Sequence, residues 1–240
     1  MNAWNTDRVS SAAVPRKAPG SSVPPVPVAT TVHLLRHGKV QNPDGILYGR
    51  LPGYRLSSSG RAMADGVADF FCGRQRIDIC YLAASSLERA QQTVAPLAAA
   101  TGVEVVTDDR LIEAANSFEG TRFDARSLRT PANWSKLWNP SRPSWGEPYL
   151  QIAHRMLGAL YSAEQAARGR VAVLVSHQLP IWTLRRFLDG HRLWHNPANR
   201  ECELASLTSV HFADGVISSI SYSEPVGHLV AEDDPVKAGA

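Results

Sequence analysis

The chain is poor in cysteine. Its 240 residues include three, Cys72, Cys80 and Cys202, an odd number in no paired metal-ligand spacing. That argues against a disulfide framework or a zinc ribbon, and for reduced thiols in a cytoplasmic, reducing compartment. Long apolar runs are also missing. The strand-like stretches break within a few residues, so no segment reaches membrane-spanning length and no membrane partner is expected. Charge of one sign is lacking as well: 25 Lys and Arg against 22 Asp and Glu, a net +3 with the basic residues scattered, leave no footprint for nucleic acid. Nor do carboxylates and histidines cluster at metal-ligand spacing, so no metal and no cofactor is expected.

What is present is the composition of an ordinary globular protein, long enough for one good-sized domain. Residues 1–30 are different material, with Pro15, Pro19, Pro24, Pro25 and Pro27 among Ser, Ala and Val and no usable period. They read as a flexible or extended arm, and they lack the continuous apolar segment of a secretory signal. Residues 224–240 read as a loose tail, which leaves 31–223 as the folded unit. Within it, strand and helix signals alternate. Val32–Leu35 is an apolar strand, and a helix opens at Ser57-Ser58-Ser59 with Met63, Val67, Phe70 and Phe71 on one face. Ile77–Leu82 is a strand, Glu88–Ala100 a helix closed by Gly102, and Val103–Val106 a strand. A helix from Tyr149 to Arg168, a strand Val171–Val175 and a helix Leu179–Leu188 follow. Ser206–Phe212 and Val216–Tyr222 then flank the hairpin signal Asp214-Gly215. Residues 113–150 break the alternation with Pro131, Pro140, Pro143 and Pro148 among Trp134, Trp138 and Trp145, and read as an irregular substrate-side insertion. The predicted class is α/β: a doubly wound three-layer sandwich, mostly parallel sheet with helices on both faces.

Two apolar strands deliver a histidine at their carboxyl ends. The first runs into Arg36-His37-Gly38, where Gly38 allows an abrupt turn, and the other into Ser176-His177. Open α/β sheets bind ligands along that edge, so the pattern predicts one shared site. A phosphoryl dianion needs convergent cations, and the planar fork of Arg serves two oxygens at once; Arg36 and Arg89 are the natural pair. Arg89 begins a helix, whose free N–H groups attract anions. Flanking cations keep His37 neutral and nucleophilic, able to take a phosphoryl group as phosphohistidine.

Four segments in order, Leu35-Arg36-His37-Gly38, Ser85 through Thr93, Leu111-Ile112-Glu113 and Val175-Ser176-His177, resemble the histidine phosphatase superfamily, also called phosphoglycerate mutase-like. The resemblance spans residues 31 to 223 and implies a phosphoglycerate mutase-like fold. It implies that His177 completes the pocket and donates to the phosphoryl oxygens, with the Gln178 backbone N–H beside it. It also implies that a carboxylate after the third strand protonates the leaving oxygen and later deprotonates water. Glu113 fills that position, with Glu119 as the neighbouring alternative and Glu119-Gly120 otherwise structural. Asn42, Tyr48, Gly49 and Arg50 fall in the loop that approaches phosphate in the family. A surface turn set by Pro52-Gly53 explains Tyr48-Gly49-Arg50 equally well. Four positions depart from the common pattern: Lys39 after the triplet, Asn42 one residue early, Ser86 in place of Pro, and Gln178 in place of Gly. None removes a group that the chemistry requires.

The expected function is a metal-independent phosphatase, of histidine acid phosphatase type, hydrolysing a small phosphomonoester. A phosphoglycerate mutase is the first alternative. Such mutases carry adjacent arginines after the acid segment, whereas this chain has separated Arg122, Arg126 and Arg129. A low-turnover phosphoryl-binding or regulatory module, motivated by Lys39 and Gln178, is the second. The expected partner is a small phosphorylated substrate, and the sequence leaves a homo-oligomer open.

Overall fold

The computed structural model describes residues 27–73, 77–122 and 146–231. Six strands form one sheet: β1 Ala29–Arg36, β2 Ile79–Ala84, β3 Val105–Thr107, β4 Val171–Ser176, β5 Leu207–Ala213 and β6 Val216–Ser223. Their order is β3-β2-β4-β1-β5-β6. The first four pair in parallel, and β5 and β6 add antiparallel at the β1 edge. Helices α1 Ser58–Cys72, α2 Glu88–Thr101, α3 Tyr149–Ala166, α4 Gln178–Leu188 and a short α5 Gly227–Ala231 complete the described elements. The fold is the expected mixed α/β sandwich.

The layers follow from strand alternation. Val32, Leu34, Ala172 and Leu174 point to a core closed by Ile152, Met156 and Leu160 of α3 and by Ile181 and Leu184 of α4. Leu35, Val173 and Val175 point the other way, onto Met63, Val67 and Phe71 of α1 and Val94 and Leu97 of α2. Because the central strands are covered on both sides, they read as continuous apolar runs. Local signals set the element ends. Ser57 caps α1 by accepting from the Gly60 N–H at 3.0 Å. Gly102 ends α2 at φ +71°, and Asp214 (φ +51°) with Gly215 (φ +79°) makes the hairpin turn.

Several boundaries differ from the sequence reading. The arm ends earlier than residue 30, because Ala29 and Thr30 already pair with β5 and Thr30 is buried. The tail is not loose at residue 224: Val226 is buried against α1, and α5 follows it. Gly66 leaves the room, since a Cβ there would lie 2.8 Å from Val226 Cγ1. A strand-and-helix period misses such a short apolar anchor. Strand β2 runs two residues further than expected, to Ala84, where it reaches the site. Residues 1–26, 74–76, 123–145 and 232–240 lie outside the described residues. They include Pro131, Pro140 and Pro143, Trp134, Trp138 and Trp145, and Arg126 and Arg129.

Candidate active site

Parallel register brings the two histidines together. Arg36 on β1 pairs with Ser176 on β4, so the next residue on each strand leaves the sheet at the same level. The backbone N–H of His37 donates to Ser176 O at 3.1 Å, and the two rings lie 5.1 Å apart between centroids. Both are fully buried. Ser85 follows β2 on the other side of β4, and its Oγ lies 2.8 Å from His177 Nε2. Gly38 serves a different end from the one expected. It has no positive φ. A Cβ there would come within 2.6 Å of Gly60 O, so the residue lets the β1 exit cross the start of α1 backbone to backbone. The Gly38 N–H then donates to Thr93 Oγ1 of α2 at 3.1 Å.

His37 is held in one tautomer. Its Nδ1 lies 2.8 Å from Gly38 O, which can only accept, so Nδ1 carries the proton and Nε2 the lone pair. Arg89 Nε donates toward that lone pair at 3.3 Å. Burial, then the charges of Arg89 and Arg36, hold His37 well below the usual imidazole range. The cations anticipated from sequence are therefore second to desolvation. His177 is held low by burial first, then by His37 and Arg89.

The arginines are short of anions. Arg89, at the second position of α2, is 1 % exposed, yet its hydrogen bonds go to His37 and to Gly49 O (2.7 Å). Its guanidinium also lies 4.8 Å from the centre of the Tyr48 ring. Arg36 donates Nη1 to Cys202 O at 2.7 Å, and its buried Nε has no hydrogen-bond partner among the described residues. His177 Nδ1 is orphaned in the same way. Neither Arg36 nor Arg89 forms an ion pair with a carboxylate among the described residues. Each such orphan costs about 1–3 kcal/mol, and a buried uncompensated guanidinium costs more. An oxyanion is the kind of partner that these buried guanidinium groups lack.

Glu113 lies within the field of the cluster's arginines. Its carboxylate is buried and accepts from the Ala114 N–H at 2.8 Å. Burial lifts its pKa above the usual carboxyl value, against the opposing pull of that N–H and of Arg89, Arg200 and Arg36. The 3₁₀ turn Asp109–Leu111 that precedes Glu113 is tied to the histidine strand, because Ser176 Oγ donates to Leu111 O at 2.6 Å. Glu119 does other work. Its Oε1 accepts from the backbone N–H groups of Arg50 (3.0 Å) and Asn116 (3.2 Å). This carboxylate packs where a Cβ on Gly49 would be, and Gly49 has φ +40°.

The expected loop residues separate into two groups. Tyr48 and Gly49 touch Arg89 directly, and Tyr48 also stacks on Tyr54 at 5.0 Å. Arg50 does not add a cation to the phosphoryl position. Its Nε donates to Glu113 O at 2.6 Å and its Nη2 to Glu147 at 2.9 Å, so it braces the Glu113 segment. Asn42 is spent on its own loop, bonding both backbone groups of Ile46. Asp44 pairs with Arg122, not with Arg36. Gln178 opens α4, and its side chain joins Arg200 (3.1 Å) to Cys202 O (3.4 Å). Sequence reasoning missed Thr93, Ser85 as a partner of His177, and Arg200. It also missed Glu147, which holds Arg50 and Arg155 together. Only Ser85 and Thr93 had a signal, as members of a recognised segment.

The sequence profile of the histidine phosphatase superfamily, branch 1, matches residues 32–224. The chain belongs to that superfamily. It is 50 % identical over 202 residues to the Mycobacterium tuberculosis protein Rv0525, covering 83 % of this chain and 98 % of that one. It is 27 % identical over 198 residues to the probable phosphoglycerate mutase GpmB of Escherichia fergusonii, covering 80 % and 85 %. Among solved structures it is similar to a mycobacterial glucosyl-3-phosphoglycerate phosphatase, at 26 % identity and TM-score 0.61, covering 81 % of this chain and 96 % of that one. Phosphatases and mutases thus both stand among the superfamily relatives. No described helix is long and apolar enough to cross a membrane.

Proposed function

We propose that this superfamily member is a metal-independent phosphomonoesterase working through a phosphohistidine on His37. One observation carries the reading: a buried His37 with its Nδ1 proton fixed on Gly38 O and its Nε2 lone pair aimed among two guanidinium groups that lack a carboxylate. The substrate's phosphoryl group replaces the Arg89 contact to Nε2. The lone pair then attacks phosphorus, the P–O ester bond breaks, and the leaving oxygen takes the Glu113 proton. Water next attacks phosphorus, Glu113 takes its proton, and the P–N bond breaks to restore the lone pair on Nε2. Arg36, Arg89 and His177 Nδ1–H bind the oxygens throughout, so the protein contributes position and charge. Burial raises the Glu113 pKa above the usual carboxyl value, the direction that a group handing over and recovering a proton needs.

The test is phosphate release from a panel of phosphomonoesters in excess chelator, with acid-labile label on the protein measured after quenching. Release together with label on wild type, and neither in His37→Ala, is the expected result; release that persists in His37→Ala would overturn the mechanism. The likeness to a probable mutase favours a second reading, in which the phosphoryl group returns to the substrate. Clean isomerisation of 3-phosphoglycerate without phosphate release would put the mutase first.

A further inference from the structure

Arg200 stands outside the phosphoryl cluster yet is wired to it. It follows the 3₁₀ turn Pro197–Asn199, and its guanidinium is held at two points. Nε donates to His195 Nε2 at 3.0 Å, and Nη1 to Gln178 Oε1 at 3.1 Å. The acceptor role of His195 is fixed by its other nitrogen, since Nδ1 lies 2.7 Å from Leu193 O and must carry the proton. His195 is therefore neutral, and burial keeps its pKa down at about 4. Gln178 is neutral too. The positive charge of Arg200 is thus oriented by two uncharged partners, and no carboxylate pairs with it among the described residues. Of five N–H donors two are spent, which leaves both Nη2 hydrogens and one on Nη1. Gln178 sits beside His177, and its Nε2 shares the Cys202 carbonyl with Arg36. One side chain therefore links the phosphoryl-binding arginine to Arg200. Of the charges in its field, Arg36 is of like sign, and the carboxyl of Glu113 is held toward the neutral form by burial.

A guanidinium fixed by neutral groups, with donors unspent beside a phosphoryl site, is an anion receptor set apart from the first. Resting on the phosphoryl-transfer reading above, we propose that Arg200 receives a second anionic group, a carboxylate or a phosphate, on the leaving group of the substrate. The substrate class is then a phosphomonoester carrying a further anion, and Arg200 selects it over neutral esters of the same size.

The test uses the full chain and matched probes: phenyl phosphate, para- and meta-carboxyphenyl phosphate, and para-phenylene bisphosphate. Calorimetric binding of benzylphosphonate and para-carboxybenzylphosphonate runs beside it, independent of turnover. Wild type should favour a probe with the second anion by about 10- to 100-fold in kcat/KM and in Kd. Arg200→Gln should collapse that ratio, with the smaller loss on phenyl phosphate. Arg200→Lys, which keeps the charge without the fork, should restore part of it. Preference for the bisphosphate over the carboxylates names phosphate as the second anion; the reverse names carboxylate. A wild type without preference for either anion, in turnover and in binding, overturns the inference, as does an Arg200→Gln loss equal on all probes. If no probe is turned over but the binding preference exists and collapses in Arg200→Gln, the anion receptor stands and the phosphatase reading falls.

Discussion

Where β1 meets the parallel strands, His37 and His177 leave the sheet among guanidinium groups. Where β1 meets the antiparallel flank, His33 and His211 lie among hydroxyls. On the flank, His33 Nδ1 lies 2.7 Å from Ser209 Oγ, and His211 has Thr31 Oγ1 at 3.1 Å and Ser221 Oγ at 3.0 Å. Both nitrogens of His211 are satisfied. In the site, His177 Nδ1 and Arg36 Nε are buried with no partner among the described residues. Burial lowers the pKa on both sides of β1, for His33 to about 4 and for His37 to well below the ordinary 6.5. A depressed imidazole is thus not what marks a reactive histidine here. Unspent hydrogen-bonding capacity next to unpaired cations marks it, because only that arrangement gains free energy when an anion enters.

The contrast can be broken from either side. The largest effect belongs to His37→Ala, expected to reduce turnover by about 10⁴-fold or more because the proposed mechanism then has no nucleophile. Arg89→Ala removes the buried cation that faces Nε2 and should cost about 10³-fold in kcat. Arg89→Lys should recover little of it, since one point charge cannot serve both Gly49 O and the phosphoryl oxygens. Ser85→Ala frees His177 Nε2 and should lower kcat by about 10-fold with a smaller change in KM, as the ring loses its orientation. On the flank, Ser209→Ala should cost about 1 kcal/mol of stability, measured by urea unfolding, while turnover stays within about twofold. A large activity loss there would erase the distinction between the two regions.

Proton linkage ties the regions together. His33, His37, His177 and His195 all have folded-state pKa values depressed below the ordinary 6.5. Between their folded and unfolded values the unfolded chain binds more protons, so stability rises with pH in that window. The fold should hold its full histidine contribution above about pH 6.5 and lose it progressively as pH falls toward 4 and below. Glu113 has the opposite sign: its raised value favours the folded state at low pH and withdraws that contribution as pH rises through the folded pKa. Four groups outweigh one, so urea midpoints should fall from pH 7 to pH 4.5. His195→Gln should flatten the slope measurably.

Much of the site was legible as pattern. Arg36-His37, Arg89 and His177 each stand at a strand end or helix start, and Glu113 just past the 3₁₀ turn that follows β3; those positions need only hydrophobic period and a recognised order. Arg50 and Asn42 were legible as loop residues, but not in what they bond, because Glu147 lies almost a hundred residues from Arg50. Arg200 left no signal at all. A lone arginine after an asparagine looks like surface until the fold sets His195 and Gln178 against it.

The sequence by itself determined the alternation of elements, the two strands that end in histidine, and the caps at Ser57 and Gly102. These depend on residues within a few positions of one another, where period and turn chemistry act. The tertiary structure alone decided that Arg36 meets Ser176 in register, that Gly38 crosses Gly60, and that Arg36 and Arg89 find carbonyls instead of carboxylates. Those contacts join segments far apart in the chain. Their free energy appears only once the apolar faces have packed and water has been removed from between them.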